Sequence, residues 1–125
     1  MFLLDTNTVI DYLGGKFSTK AKNALDKIID EEINLSVINK IELLSFSKVD
    51  QKLFDFVNVS NIYSLDESIV DQTINLRKEY KIKLPDAIIA ATAQLFDFTL
   101  ITNNTNDFKK IKDLKLINPY SNKVI

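Results

Sequence analysis

Short apolar runs along this 125-residue chain are separated by helix-like stretches, with no hairpin turn between any two of them. The runs are Phe2-Leu3-Leu4, residues 33–37, Ile62-Tyr63-Ser64, residues 98–101 and Leu116-Ile117. Strands divided by helical segments need crossover connections, which predict a mainly parallel sheet covered on both faces. With right-handed crossovers the expected fold is α/β, a three-layer α/β/α sandwich. In such sheets ligands bind beyond the carboxyl ends of the strands, so the residues that follow each strand are the ones to examine for chemistry.

The intervening segments read as helices. Thr6 or Asn7 begins one through Val9, Ile10, Tyr12 and Leu13, which Gly14-Gly15 ends. Ser18 or Thr19 caps the next, with Ala21, Ala24, Leu25, Ile28 and Ile29 on one face. Further helices are expected over residues 39–46, 53–57 and 66–80, the last with Ile69, Val70, Thr73 and Ile74 inward. Pro85 and Asp86 open a helix over residues 87–96 that is apolar nearly all round. Such a helix belongs at the centre, and its alanines allow close approach to a sheet.

The residue inventory narrows the chemistry. With no histidine and no cysteine, the chain has no serine–histidine triad, imidazole base, thiolate nucleophile or ordinary zinc site. A hydrophobic fraction of 46% supports a core for one domain, expected to span residues 1–125. No stretch approaches the roughly 20 apolar residues of a membrane span, so a soluble protein without a membrane partner is expected. The lack of cysteine fits a cytoplasmic home. A net charge of -1 argues against a strong overall pull on polyanions. Lysines nonetheless cluster at Lys16, Lys20 and Lys22 and at Lys109, Lys110, Lys112 and Lys115. Such runs are ordinarily solvated faces, with phosphate contact as the alternative.

Four acids fall at strand ends or helix starts: Asp5, Glu42, Asp86 and Asp107. Each has an ordinary structural reading. Asp5 suits an N-cap, and Asn39 to Glu42 has capping-box spacing. Asp86 suits the amide end of its helix, and residues 102–108 suit a turn. Taken together, the four would converge on one sheet edge, where carboxylates repel unless a cation intervenes. Magnesium and manganese take oxygen ligands and need neither histidine nor cysteine. Removing an acid from such a cluster is expected to relieve repulsion and leave the fold intact.

The segments LLDTNTVIDYL, LSVINKIELL, LPDAIIAATA and LITNNTNDF resemble, in order and spacing, the motifs of PIN-domain ribonucleases, most nearly VapC toxins. The resemblance covers essentially the whole chain. It implies that Asp5, Glu42 and Asp86 ligate Mg²⁺ or Mn²⁺, with Thr102 and Asn7 positioning the acids and a water. That water attacks phosphorus in line, leaving a 5′-phosphate and a 3′-hydroxyl. Relatives commonly carry an acid at the position of Asn104, of Asp107, or of both. With Asn104 neutral, Asp107 is expected to serve as the fourth carboxylate and metal ligand, directly or through water. The resemblance further implies a homodimer, a cognate antitoxin protein and an RNA substrate, transfer RNA first among the candidates.

Two other readings stand beside this one. Asp5 after the first strand suits an aspartyl-phosphate phosphatase, although the second Asp that chemistry wants is Asn7 here. A non-catalytic PIN-like interaction domain would gain nothing from clustered acids. Arg77, the only arginine, lies near the inward stripe of its helix and is expected to form a structural ion pair. Orientation of an acid or contact with RNA phosphate is its alternative. Leu43, Leu44, Phe46, Leu53, Phe54 and Phe56 exceed what one small core face needs, and some are expected to bury a homodimer or antitoxin surface.

Overall fold

In the computed structural model, which describes residues 1–121, every paired strand is parallel to its neighbour. Strand β1 (Phe2–Leu4) pairs with β4 (Thr99–Ile101), and β4 with β5 (Leu116–Ile117). Separately, β2 (Asn34–Ser36) pairs with β3 (Asn61–Tyr63). The two ladders lie side by side, since β2 runs against β1. What joins them there is a side chain: Asn34 Nδ2 donates to the Phe2 carbonyl at 2.9 Å. The sheet is mainly parallel, as the spacing of apolar runs predicts, but hydrogen-bonded in two parts.

Alternation along the strands sends side chains to two separate cores. Leu3 and Leu100, directly paired, face one layer with Ile69, Leu76, Ala87, Ile89, Ala90 and Phe108. That layer is built by α5 (Glu67–Glu79), α6 (Leu84–Leu95) and α7 (Thr105–Phe108). Leu4 and Ile101 face the other, with Val9, Leu25, Leu35, Leu43 and Phe56. Its helices are α1 (Thr6–Leu13), α2 (Thr19–Glu31), α3 (Val37–Leu44) and α4 (Gln51–Asn58). The result is the expected three-layer sandwich.

Local chemistry sets the helix ends. Ser18 caps α2 by accepting from the Ala21 amide, and Asp66 caps α5 by accepting from the Ile69 amide. Gly14 closes α1 through its amide on the Ile10 carbonyl, and Gly15 turns the chain away at φ 68°. Helix α6 is the expected central one: residues 87–93 are all buried, four of them alanines. Its one buried hydroxyl, Thr92, is satisfied by the Ile88 carbonyl at 2.8 Å.

Four expectations need correction. Helix α3 starts at Val37, so its capping box is Ser36 with Asn39, not Asn39 with Glu42. Ser36 ends the strand, and the chain turns helical at once. On α5, Leu76 is buried with Ile69 and Thr73, while Val70 and Ile74 are exposed. The buried stripe is narrower because α5 packs against α6 alone among the helices it chiefly meets. Asp86 does not cap α6: Lys83 is the N-cap residue, without a side-chain cap bond, and Asp86 lies inside the first turn. Residues 105–108, expected as part of a turn, make the short helix α7, pinned by fully buried Phe108.

Candidate active site

The parallel strands β1, β2 and β4 end at one edge of the sheet, and Asp5, Ser36 and Thr102 lie at or next to those ends. Asp5 is only 6% exposed, yet it is well satisfied. Its amide continues the β1–β4 pairing by donating to the Ile101 carbonyl. One carboxylate oxygen accepts from the Thr6 amide (2.9 Å) and Asn39 Nδ2 (3.3 Å). The other accepts from the Thr102 hydroxyl (2.7 Å) and Asn7 Nδ2 (3.2 Å). The N-cap reading of Asp5 is therefore correct, and it does not compete with a role in a site.

Glu42 is freed by the shift in the capping box. Asn39 Oδ1 accepts from the Ser36 amide at 2.9 Å, which leaves Asn39 Nδ2 to reach across to α1. There it donates to Asp5 and to Thr6 Oγ1 (3.1 Å). Thr6 spends its own proton on Glu42 Oε1 at 2.6 Å. A chain of donors thus runs from fully buried Asn39 through Thr6 to Glu42, tying α3 to α1.

On the β4 side, Thr102 accepts from the Asn104 amide at 3.0 Å, and Asn104 Nδ2 donates to Asp107 Oδ2 at 2.7 Å. Asn7 bridges the same region, its Oδ1 accepting from the Asn103 amide. Asp86 sits apart from these bonds, half-buried in the first turn of α6. Burial raises its pKa most, and the negative charges of Asp5, Asp107 and Glu42 raise it further, against the pull of Lys83. The four sequence-predicted acids therefore share one electrostatic environment. They are not packed into a ready-made cage: among the described residues no three acids are grouped tightly enough to hold a metal ion by themselves.

With this geometry in view, comparison with known proteins is decisive. The profile of the PIN domain matches residues 2–114. The chain belongs to the PIN-domain family. This PIN domain is 30% identical to a curated Rickettsia bellii protein named ribonuclease VapC, covering 92% of this chain and 93% of that protein. Among solved structures it is similar to a toxin–antitoxin complex from Klebsiella pneumoniae, with 32% identity and a TM-score of 0.76 over 97% of this chain and 99% of that one. It is also similar to VapBC2 from Rickettsia felis bound to a promoter DNA fragment, with 28% identity and a TM-score of 0.76 over 94% and 97% of the two chains.

Within the PIN domain, the residues that sequence reading passed over are Thr6 and Asn39. Their signal was present but ambiguous. Ser36 and Asn39 are both good caps three residues apart, and only the strand's end decides between them. Arg77 departs from its expectation. It is exposed on the last turn of α5 and forms no ion pair among the described residues. For Asp5, the expected relief on removing an acid is outweighed: four donors would lose their acceptor.

Proposed function

We propose that this PIN domain is a divalent-metal-dependent endoribonuclease, the toxin of a toxin–antitoxin pair acting on RNA in the cytoplasm. The observation that carries the reading is the placement of Asp5, Glu42, Asp86 and Asp107 at the carboxyl edge of the parallel strands, where the other three raise the proton affinity of Asp86. The names of its relatives, a ribonuclease and a toxin–antitoxin complex, point the same way.

The donor set fits a hard ion. Every side chain offered is a carboxylate, hydroxyl or amide oxygen, and the repulsion felt at Asp86 is what a cation relieves. The looseness of the array suits magnesium or manganese, which keep several waters and need only one or two carboxylates. Asp5, Glu42, Asp86 and, directly or through water, Asp107 would hold Mg²⁺ or Mn²⁺. When bound, such an ion supplies positive charge against the phosphodiester and a water acidic enough to attack it.

The chain's own residues do the rest. Asn7 and Thr102 fix the Asp5 carboxylate from one side, and Thr6 and Asn39 fix it from the other while aiming Glu42. Asn104 holds Asp107 toward the same edge. Partner binding falls to another surface. Of the apolar residues on α3, α4 and their connection, Leu43, Phe56 and Val57 are buried, but Ile41, Phe46 and Phe54 are about half-exposed. These suit a cover by the antitoxin or by a second copy in a homodimer.

The test is cleavage of single-stranded and transfer RNA by purified protein. Cleavage should stop in EDTA, return with Mg²⁺ or Mn²⁺, and leave 5′-phosphate ends. Activity that persists in EDTA and leaves 2′,3′-cyclic ends would sink the reading.

A further inference from the structure

Asp86 and Asp107 also line an open cleft of about 400 Å³, and the other charged groups on its walls are Arg77, Lys81, Lys83 and Lys110. The cations come from separate parts of the chain. Arg77 lies at the end of α5, Lys81 and Lys83 lie in the connection to α6, and Lys110 follows α7. All four are exposed. None forms an ion pair: those among the described residues are Lys22–Asp26 and Lys115–Asp97. Lys110 is nonetheless held in place, its ammonium donating to the Lys81 carbonyl across the cleft's rim. Four unpaired cations thus surround two acids in a chain whose net charge is -1.

We propose that this cleft binds the sugar–phosphate backbone of the RNA strand next to the scissile bond, Arg77 gripping one phosphate and Lys81, Lys83 and Lys110 its neighbours. The proposal rests on the nuclease reading above and gives that site a direction: the strand leaves the acids along the α5–α7 side. Cations outside any ion pair around an open cleft attract anions. A guanidinium fork matches two phosphate oxygens at once, and ammonium groups serve as point charges beside it. A strand with one phosphate per nucleotide sets one phosphate at the acids and others against the cations together. That favours RNA over an acidic peptide.

Equilibrium binding of a short fluorescein-labelled single-stranded RNA, in EDTA so that it is not cut, tests the cleft directly. Arg77→Ala, Lys81→Ala, Lys83→Ala and Lys110→Ala should each weaken binding by about fivefold. Each should also flatten the salt dependence by about 0.7 to 1 in log–log slope. Lys20→Ala and Lys27→Ala, exposed on α2, should change neither. In Mg²⁺ the cleft variants should raise KM and hold kcat within about twofold. Arg77→Lys should recover the salt slope but only part of the affinity, because the fork is lost.

Unchanged affinity and slope in the cleft variants would overturn the proposal. So would equal losses in the α2 controls, or polyglutamate competing as well as RNA. The two readings fail separately. Weakened binding in the cleft variants, with no cleavage by the wild type in any divalent ion, defeats the nuclease and spares the cleft. Normal binding with metal-dependent cleavage does the reverse.

Discussion

Asp5 and Asp86 lie at the same edge of the sheet, yet the protein holds them by opposite means. Around Asp5, four donors from α1, α3 and the end of β4 saturate a buried carboxylate. Around Asp86, burial and three neighbouring negative charges press on a group whose own helix offers no side-chain cap. One acid is fixed by hydrogen bonds and forms part of the fold's framework. The other sits among like charges, a repulsion that the proposed cation would relieve. A site that must be stable when empty and still attract an ion can divide the tasks in this way.

The sharpest test of the contrast is Asp5→Ala. It should abolish RNA cleavage and also cost about 3 kcal/mol in urea unfolding, since a cap and several buried donors lose their acceptor. Asp5→Asn, which keeps one acceptor oxygen, should lose activity with a smaller loss of stability. If Asp5→Ala is as stable as the wild type, the framework role is wrong. Next in size is Asn39→Ala, which removes the donor shared by Asp5 and Thr6. It should lower Mn²⁺ affinity, read by calorimetry, and activity by about 10- to 100-fold, with Thr6→Val a milder version. Equal Mn²⁺ affinity in wild type and Asn39→Ala would break the link between the two helices and the ion.

Asp86→Asn should go the other way on stability while losing activity. Folding raises the pKa of Asp86 above its ordinary 3.8, so the folded protein keeps that proton to higher pH than the unfolded chain does. Stability of the metal-free protein therefore falls as pH rises from near 3.8 through the raised value. Asp86→Asn should remove that decline. The expected gain near neutral pH is below about 1 kcal/mol, because solvent reaches the group, and it should vanish near pH 3. A variant less stable than the wild type at neutral pH would show that Asp86 also belongs to the framework. The smallest effect is expected for Asp107→Ala. That residue is exposed and its carboxylate accepts from Asn104 Nδ2, so stability should be unchanged and activity only partly reduced.

Most of the framework was legible because its signals are local. The apolar runs mark the strands, Ser18 and Asp66 cap where their side chains allow, and the wholly apolar α6 can only be central. The four acids were legible as a group because each follows a strand or opens a helix. What was hidden depended on contacts between elements. The outward Val70 and Ile74 follow from how few neighbours α5 has, and α7 owes its place to Phe108 entering a core assembled elsewhere. The reach of Asn39 to Asp5 spans 34 residues, a separation that no local pattern records. Arg77 looked inward on a helical wheel, but its long side chain lines the cleft instead.

The join between β1 and β2 bears on how long the site holds together. Those neighbouring strands share no backbone ladder among the described residues, and Asn34 holds the seam with one bond to Phe2 while accepting from Asn61 and Tyr63 on the β3 side. Asp5 stands on one side of this seam, and Glu42 follows the strand on the other. In hydrogen-exchange terms, opening along the seam is a sub-global event that leaves both ladders intact. It would part Glu42 from Asp5 without unfolding either half, resisted at the site's edge by the Asn39–Thr6–Glu42 clasp. The acids are therefore expected to stay assembled only while this joint is closed, which native-state exchange of the β1 and β2 amides would read.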